Sequence, residues 1–411
     1  MDTPRLVVAD YRAGRVYGCA ARGAEGGTGA RPLGCAVLAE HAGVLALPPR
    51  SGVSEGWAFA DDRGGALVVH RGTVGVAPQR IPVAIPAEHL ACDPTGRYVV
   101  VTTGLGANAD VWSDVVTVAD LDTGDSVRFR SRVGEPGVAL VPDQGDGEPV
   151  IVLRHREPGG IEAIPLGDAR AVGSHVPELR GRVLTDLAAD GHGDVVCHRT
   201  GIAATATSRG LERFVVEHGV PRGIGISPWP VPGRAFYLRF DPATGRAVGV
   251  VRGGPTSPTA WTSWTNHLVD IDLATGDTRS VDLPGGLAFR FALGGTRAAV
   301  ATIHPDGDEV TIIERSGAEL RHVHAVSLPG MSHPPRPGTC RGTRSAMRRP
   351  SGGRSPSTPP GSSWPSRGAG TANCTCSATT GSGPSPCPRH STRAVICTGP
   401  AVPSTRSAGE P

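Results

Sequence analysis

Residues able to do chemistry are thinly spread along this chain, and the stretch that concentrates them is Trp261-Thr-Ser-Trp264-Thr-Asn266-His267. Two of the six Trp stand three apart here, in a polar segment that follows Gly253-Gly-Pro-Thr-Ser-Pro258. An indole offers a large rigid apolar face with one N–H, and the neighbouring Asn and His add hydrogen-bonding groups. That combination suits the anchoring of a partner at a loop or strand end. Trp261, Trp264, Asn266 and His267 are therefore the expected ligand- or partner-binding residues, against the bland alternative that both rings are packing.

Metal chemistry has weaker footholds. His322 and His324 stand two apart in a β-like run, which on a regular strand puts both on one face with ligand-like spacing. Asp190-Gly-His192-Gly-Asp194 and Asp306-Gly-Asp308-Glu309 are acidic and Gly-rich, but neither has the spacing of a calcium loop. No third ligand accompanies the His pair in sequence, so no metal, no cofactor and no catalytic residue is expected.

Two motif matches fail on context. Gly104-Leu-Gly106-Ala-Asn-Ala109 fits a dinucleotide fingerprint, yet five residues separate it from the next β run at Val115, too few for a crossover helix. Gly52-Val-Ser54-Glu-Gly56 fits a nucleophile elbow, but it follows Pro48-Pro49 and precedes a β-like Trp57-Ala-Phe instead of a helix. Gly26-Gly-Thr-Gly29 resembles a phosphate cradle only in its glycines. The chain has no Lys, all 41 basic residues being Arg, which excludes a Walker A lysine, a Schiff base and an amine nucleophile.

The elements that would position these residues are strands. Leu90 to Arg130 shows the unit complete: strand, Pro-Thr-Gly turn, strand, loop, strand, Asp-Thr-Gly turn, strand. The turn form D-x-x-[TA]-G-[RD] recurs at Asp10, Asp120, Asp241 and Asp272, with a shorter relative at Asp93. Asp caps such a turn through its own carboxylate, and Gly takes the positive φ that closes it. Further hairpins are expected over Trp57 to His70, Val138 to Leu153, Leu184 to Cys197, Phe291 to Ile303 and Val310 to Val323. Arg209 to Glu217 is the best helical candidate, and its Phe-Val-Val end favours strand. Two hairpins per 40 to 50 residues is the signature of an all-β propeller, with about six or seven four-stranded blades in the first 330 residues.

These strand-D-x-x-T-G-strand and D-P-x-G-R-strand units resemble those of WD40-like and related bacterial propeller-repeat proteins over about residues 5 to 326. The repeated Gly-His and Trp-Asp signature of true WD40 repeats is missing: Trp-Asp does not occur, and Gly-His occurs once, at Gly191-His192. The resemblance implies a fold and a habit of binding partners, and no catalytic residue.

After Met331 the composition changes. Residues 331–411 contain no Leu, Phe, Tyr or Asp, but hold five of the nine Cys, ten Arg and one acid, net +9. The first 330 residues then carry 31 Arg and 37 acids, net −6, which together give the stated +3. Two regions are expected: a propeller-like domain over 1–330, and a disordered Pro/Ser/Arg/Gly-rich tail over 331–411. A basic tail that binds nucleic acid is one reading of this segment. Out-of-frame translation of a GC-rich gene explains the composition better, and it would leave the propeller short of its last blade or blades, with two sheet edges exposed. The Gly, Pro, Ala and Arg usage itself points to a high-GC bacterium.

The N-terminus has an acid at position 2 and no signal-length apolar run, and Cys19, Cys35, Cys92 and Cys197 are scattered singly. A cytoplasmic location follows as an expectation, with no membrane contact and with nucleic acid not the expected partner. The expected function is a non-enzymatic binding scaffold that holds a protein or a small ligand on one propeller face. The alternatives are a lactonase-like or other metal-dependent hydrolase, and a damaged gene copy. Acid and His residues at strand starts, converging on the central channel with an ion, would favour the hydrolase; a Gly-, Thr- and Val-lined channel would favour the scaffold.

Overall fold

The computed structural model describes residues 6–10, 14–19, 30–35, 42–50, 52–71, 76–104, 113–132, 137–145, 147–155, 160–173, 175–184, 194–294, 296–328 and 396–398. All belong to one compact unit; the second unit, 338–391, lies outside the described residues. The chain opens with β1 (Leu6–Asp10), β2 (Arg15–Cys19) and β3 (Ala30–Cys35). Blade 2 comes next as β4 (Val44–Leu47), β5 (Gly56–Asp61), β6 (Ala66–Arg71) and β7 (Gln79–Pro82). Blade 3 is β8 (Ala87–Cys92), β9 (Tyr98–Thr103), β10 (Asp114–Asp120) and β11 (Ser126–Ser131). Blade 4 is β12 (Val138–Pro142), β13 (Pro149–His155), β14 (Gly160–Pro165) and β15 (Arg182–Leu184), with a short helix α1 (Leu166–Arg170) after β14.

Blade 5 is β16 (Val195–Cys197), β17 (Ala203–Ala206), β18 (Gly210–Glu217) and β19 (Val220–Pro228). Blade 6 is β20 (Arg234–Asp241), β21 (Arg246–Gly253), β22 (Thr265–Asp272) and β23 (Thr278–Leu283). Blade 7 is β24 (Leu287–Gly294), β25 (Arg297–Ile303), β26 (Asp308–Glu314) and β27 (Arg321–Leu328). A last strand, β28 (Ile396–Thr398), returns to pair with β1, completing blade 1 in the order β28-β1-β2-β3. Seven four-stranded antiparallel sheets result.

The first strand of each blade touches the first strand of the next. The contacts run β4 to β8, β12, β16, β20, β24 and β28, and from β28 back to β4. That closed cycle is the inner wall of a seven-bladed β-propeller.

Each sheet is covered on both faces by its neighbours, so the middle strands need apolar residues at successive positions instead of alternation. Tyr98-Val-Val-Val-Thr-Thr103 is buried at all six positions. The core accordingly lies between blades: one cluster joins Val100, Val118 and Phe129 of blade 3 to Leu140, Ile151 and Ile164 of blade 4, and another joins Val250 and Leu268 of blade 6 to Phe291, Val300 and Ile313 of blade 7.

The Asp turns work as their residue types require. Asp120 accepts from the backbone N–H of Asp122 at 2.9 Å, Asp241 from Ala243 at 3.0 Å, and Asp272 from Ala274 and Thr275, both at 2.9 Å. Gly124, Gly245 and Gly276 close these turns at φ 79°, 71° and 88°. Some turn residues also fasten blades. Arg315 of blade 7, 3% exposed, reaches Asp241 at 2.8 Å and Asp270 at 2.9 Å in blade 6.

Two sequence expectations change. Leu184 to Cys197 is not a hairpin: β15 pairs with β14 and β16 with β17, so the segment bridges two blades. The strand series ends at Leu328, close to the composition break, yet Ile396–Thr398 from beyond that break supplies the inner strand of blade 1. Residues 329–395 and 399–411 lie outside the described residues.

Candidate functional site

The inner strands enclose a cavity of about 160 Å³, lined from six of the seven blades at the end where the inner strands begin. Val44, Leu90, Val138, Val195, Leu238 and Phe291 form its apolar wall. Its polar groups are His89 on β8, Asp194 just before β16, Tyr237 and Arg239 on β20, and Arg290 on β24. All five are half-buried.

Local irregularity aims most of these groups. An inner strand that alternates regularly points its side chains into the two flanking seams, and one extra residue rotates the residues after it. β8 carries such a register shift between Ala87 and His89, β20 between Ala235 and Leu238, and β24 between Ala288 and Arg290. The inner strands of blades 2, 4 and 5 pair without a shift. Thus the three bulged inner strands are those that deliver His89, Tyr237, Arg239 and Arg290. Gly249 on β21 faces the β20 bulge, where a Cβ would stand 3.0 Å from Leu238 Cδ2 and 3.2 Å from the Tyr237 carbonyl oxygen. A glycine mid-strand is what such close backbone approach requires.

The polar groups are tied to one another. Arg290 places its guanidinium carbon 4.5 Å from the centre of the Tyr237 ring. Asp194 Oδ2 accepts the Leu238 N–H at 3.1 Å, and its Oδ1 lies 3.9 Å from His89 Nδ1. Among the described residues the Arg239 guanidinium makes no hydrogen bond or ion pair, while its backbone lies in the β20–β21 ladder opposite Val248. The site therefore combines two guanidinium groups, an aromatic face, one anchored carboxylate and one imidazole inside an apolar wall. Such a set can bind and orient a small polar molecule.

The residues expected to bind from sequence do come together, but inside the fold. Trp261 and Trp264 are 8% and 6% exposed and pack with Leu287 and Ile303. Both rings lie in the loop joining β21 to β22, Trp261 within a 3-10 helix at Pro258–Ser263 and Trp264 at its C-cap, and both are buried there. Trp264 Nε1 donates to the Pro255 carbonyl at 2.8 Å, and Arg252 stacks on its ring at 3.9 Å. Asn266, 1% exposed, donates to the Pro284 and Gly286 carbonyls at 2.9 and 3.0 Å. His267 Nδ1 faces Asp282 Oδ1 at 2.9 Å. These contacts make the cluster a clasp between blades 6 and 7.

The His322/His324 pair does not keep its regular spacing. A bulge pairs Ile312 with His324 and Ile313 with His322, so Val323 is the extra residue, and His322 Nε2 lies 2.8 Å from the Asp282 carbonyl oxygen. Asp308 accepts the His304 N–H at 3.1 Å, acting within its own turn. Among the described residues no group of three or more His, Cys, Asp or Glu is placed to hold a metal ion. Ser54 lies between β4 and β5, with no helix after it, and its carbonyl accepts from Arg71 at 3.0 Å. β9 and β10, which flank the Gly104 loop, are antiparallel and not a dinucleotide crossover; residues 105–112 and the Gly26 cluster lie outside the described residues, as do 190–193.

The channel residues carry no motif. His89, Asp194, Tyr237, Arg239 and Arg290 lie up to 201 positions apart, from 89 to 290, and share only a place on, or just before, a blade's first strand.

No protein-family model matches the chain, and no curated protein matches it. Among solved structures, a putative 6-phosphogluconolactonase from Bacteroides fragilis is similar with a TM-score of 0.49 at 14% identity, over 79% of this chain and 94% of that one. A functionally unknown protein from Desulfotomaculum acetoxidans has a TM-score of 0.49 at 12% identity, over 80% of this chain and all (100%) of that one. A chain of the Mitotic Checkpoint Complex has a TM-score of 0.43 at 12% identity, over 70% and 84%. The assignment of this chain as a β-propeller protein rests on its own seven sheets and closed inner ring.

Proposed function

We propose that this chain is a non-enzymatic, cytoplasmic binding scaffold that takes a small ligand into its central channel, at the face where the inner strands begin. The observation that carries this reading is the convergence of Tyr237, Arg239, Arg290, His89 and Asp194 on one cavity of about 160 Å³. That is about the space of an engineered ~150 Å³ protein cavity that holds a benzene-sized molecule. Rigid strands position these groups, and three bulges aim all of them but Asp194, as a binding site requires.

A metabolite panel screened by thermal shift on the full chain tests the reading. A ligand should raise the melting temperature with dose, because binding only the folded state stabilises it. Ala42→Trp, which sets an indole among the lining residues of the cavity, should abolish the shift, and its unliganded melt, recorded alongside, shows whether the variant still folds. A protein partner that binds equally well to Ala42→Trp would move the function off the channel. The hydrolase alternative needs a third ligand beside His89 and Asp194. Divalent cations that raise the melting temperature of the wild type but not of Asp194→Asn would favour it.

A further inference from the structure

We infer that the channel is a receptor for a small anion, whose carboxylate or phosphate oxygens are taken by Arg239 and Arg290; this rests on the channel being the ligand site. The described wall carries two guanidinium groups against one carboxylate, a net charge of +1 with His89 neutral. Asp194 does not cancel that charge evenly. One of its oxygens is engaged by the Leu238 N–H, and the other faces His89. The Arg239 guanidinium makes no hydrogen bond or ion pair among the described residues, so its side-chain donors are available to an incoming oxyanion.

Two physical features sharpen the match. A guanidinium presents parallel N–H donors in a planar fork that fits two oxygens of one carboxylate or phosphate, which an ammonium does not. Contact with the Tyr237 ring restrains the Arg290 guanidinium before the ligand arrives, so less side-chain freedom is lost on binding. The groups also sit together in one confined passage, where the field of like charges is focused and an anion is concentrated. Size limits the ligand. A cavity of about 160 Å³ admits a few heavy atoms beyond the charged group, which selects short carboxylates, inorganic phosphate and small phosphate esters over nucleotides.

The test is titration calorimetry on the full chain at fixed ionic strength, with succinate, inorganic phosphate and the neutral isostere succinamide as probes. Succinate or phosphate should bind at least tenfold more tightly than succinamide. Arg239→Gln and Arg290→Gln should each weaken that binding about tenfold or more, and Arg239→Lys, which keeps charge but loses the fork, should fall between. Arg199→Gln, at an exposed turn, should change nothing. Unliganded melts of each variant confirm the fold. A stronger response to phosphate identifies a phosphate ligand, and a stronger response to succinate a carboxylate.

Equal binding of succinamide, or Gln variants that bind as the wild type does, overturns the anion inference while leaving the channel as ligand site. Anion binding that survives Ala42→Trp places the anion elsewhere and overturns both. No binding of any probe at millimolar concentration overturns the anion inference, and the wider metabolite panel then decides the channel reading alone.

Discussion

Arg290 lies over the ring of Tyr237 at 4.5 Å, and the two residues belong to the inner strands of successive blades, so the seam between blades 6 and 7 is fastened at the wall of the channel. A half-buried cation–π contact of this kind is worth roughly 0.5–2 kcal/mol. A double-mutant cycle with Tyr237→Leu and Arg290→Met, followed by urea unfolding, should return a coupling of about 1 kcal/mol. Strictly additive losses would show that the stack contributes nothing to the seam.

Gly249 permits the bulge that turns Tyr237 and Arg239 toward the channel. An added Cβ would press on Leu238 at 3.0 Å and on the Tyr237 carbonyl at 3.2 Å. Gly249→Ala should therefore cost about 1 kcal/mol, and Gly249→Val more, with ligand affinity falling further than stability does. If affinity holds while stability falls, the bulge is structural and does not set the site.

How far the sequence carried the fold can be judged from individual residues. The Asp and Gly of each D-x-x-T-G turn work entirely within a few residues, so Asp120, Asp241 and Asp272 revealed their hairpins, and Leu90 to Arg130 stood out as a single blade. The channel was not legible. Its residues meet only through ring closure, and three of its strands carry an extra residue that no alternation rule anticipates. The burial of Trp261 and Trp264 was not legible for a related reason: rarity and a polar neighbourhood suggested a surface, whereas both rings are buried in the loop joining β21 to β22.

Arg315 joins the two carboxylates Asp241 and Asp270 across the same seam, and Asp270 is fully buried (0% exposed) with Arg246 and Arg279 also bonded to it. Removing one partner of a buried charge network leaves the others without compensation, which costs about 3–5 kcal/mol. Arg315→Met should lose that much in urea unfolding, near the upper end of single-residue effects. A loss below ~1 kcal/mol would mean that Arg246 and Arg279 alone satisfy Asp270.

Acid should weaken the fold through its turn carboxylates. Burial pushes the Asp61, Asp120 and Asp272 carboxyls up, but the bonds they accept outweigh it: Arg80 and the Gly64 N–H on Asp61, Arg97 on Asp120, and the Thr275 and Ala274 N–H groups on Asp272. All three end below the ordinary value of 3.8. A group whose pKa is depressed by folding contributes stability above its unfolded value and loses it as pH falls through the folded one. The stability difference between the wild type and Asp61→Asn should thus be constant from about pH 5 to 7 and shrink below about pH 4. A difference that persists unchanged at about pH 2 would show that the Asp61 charge is not what stabilises its turn.

Closure of the ring depends on three residues from the far side of the composition break. Ile396, Cys397 and Thr398 pair with Val8, Val7 and Leu6, and β28 also contacts β24 and β4, so one short strand completes blade 1 and joins it to both neighbours. Ending the chain after Ser391 would leave the N–H and C=O groups along the open side of β1 without partners and would interrupt the inner wall. An open edge of this kind recruits other strands. The truncated chain should melt roughly 5 °C lower or more and form higher oligomers with rising concentration in light scattering, because the lost contacts come from two seams as well as one sheet. A peptide spanning residues 392–402, added in excess, should restore part of the melting temperature by filling the same edge. A truncated chain that stays monomeric and melts as the full chain does would show that β1 to β27 hold the ring without β28, and that the strand from the tail adds nothing to closure.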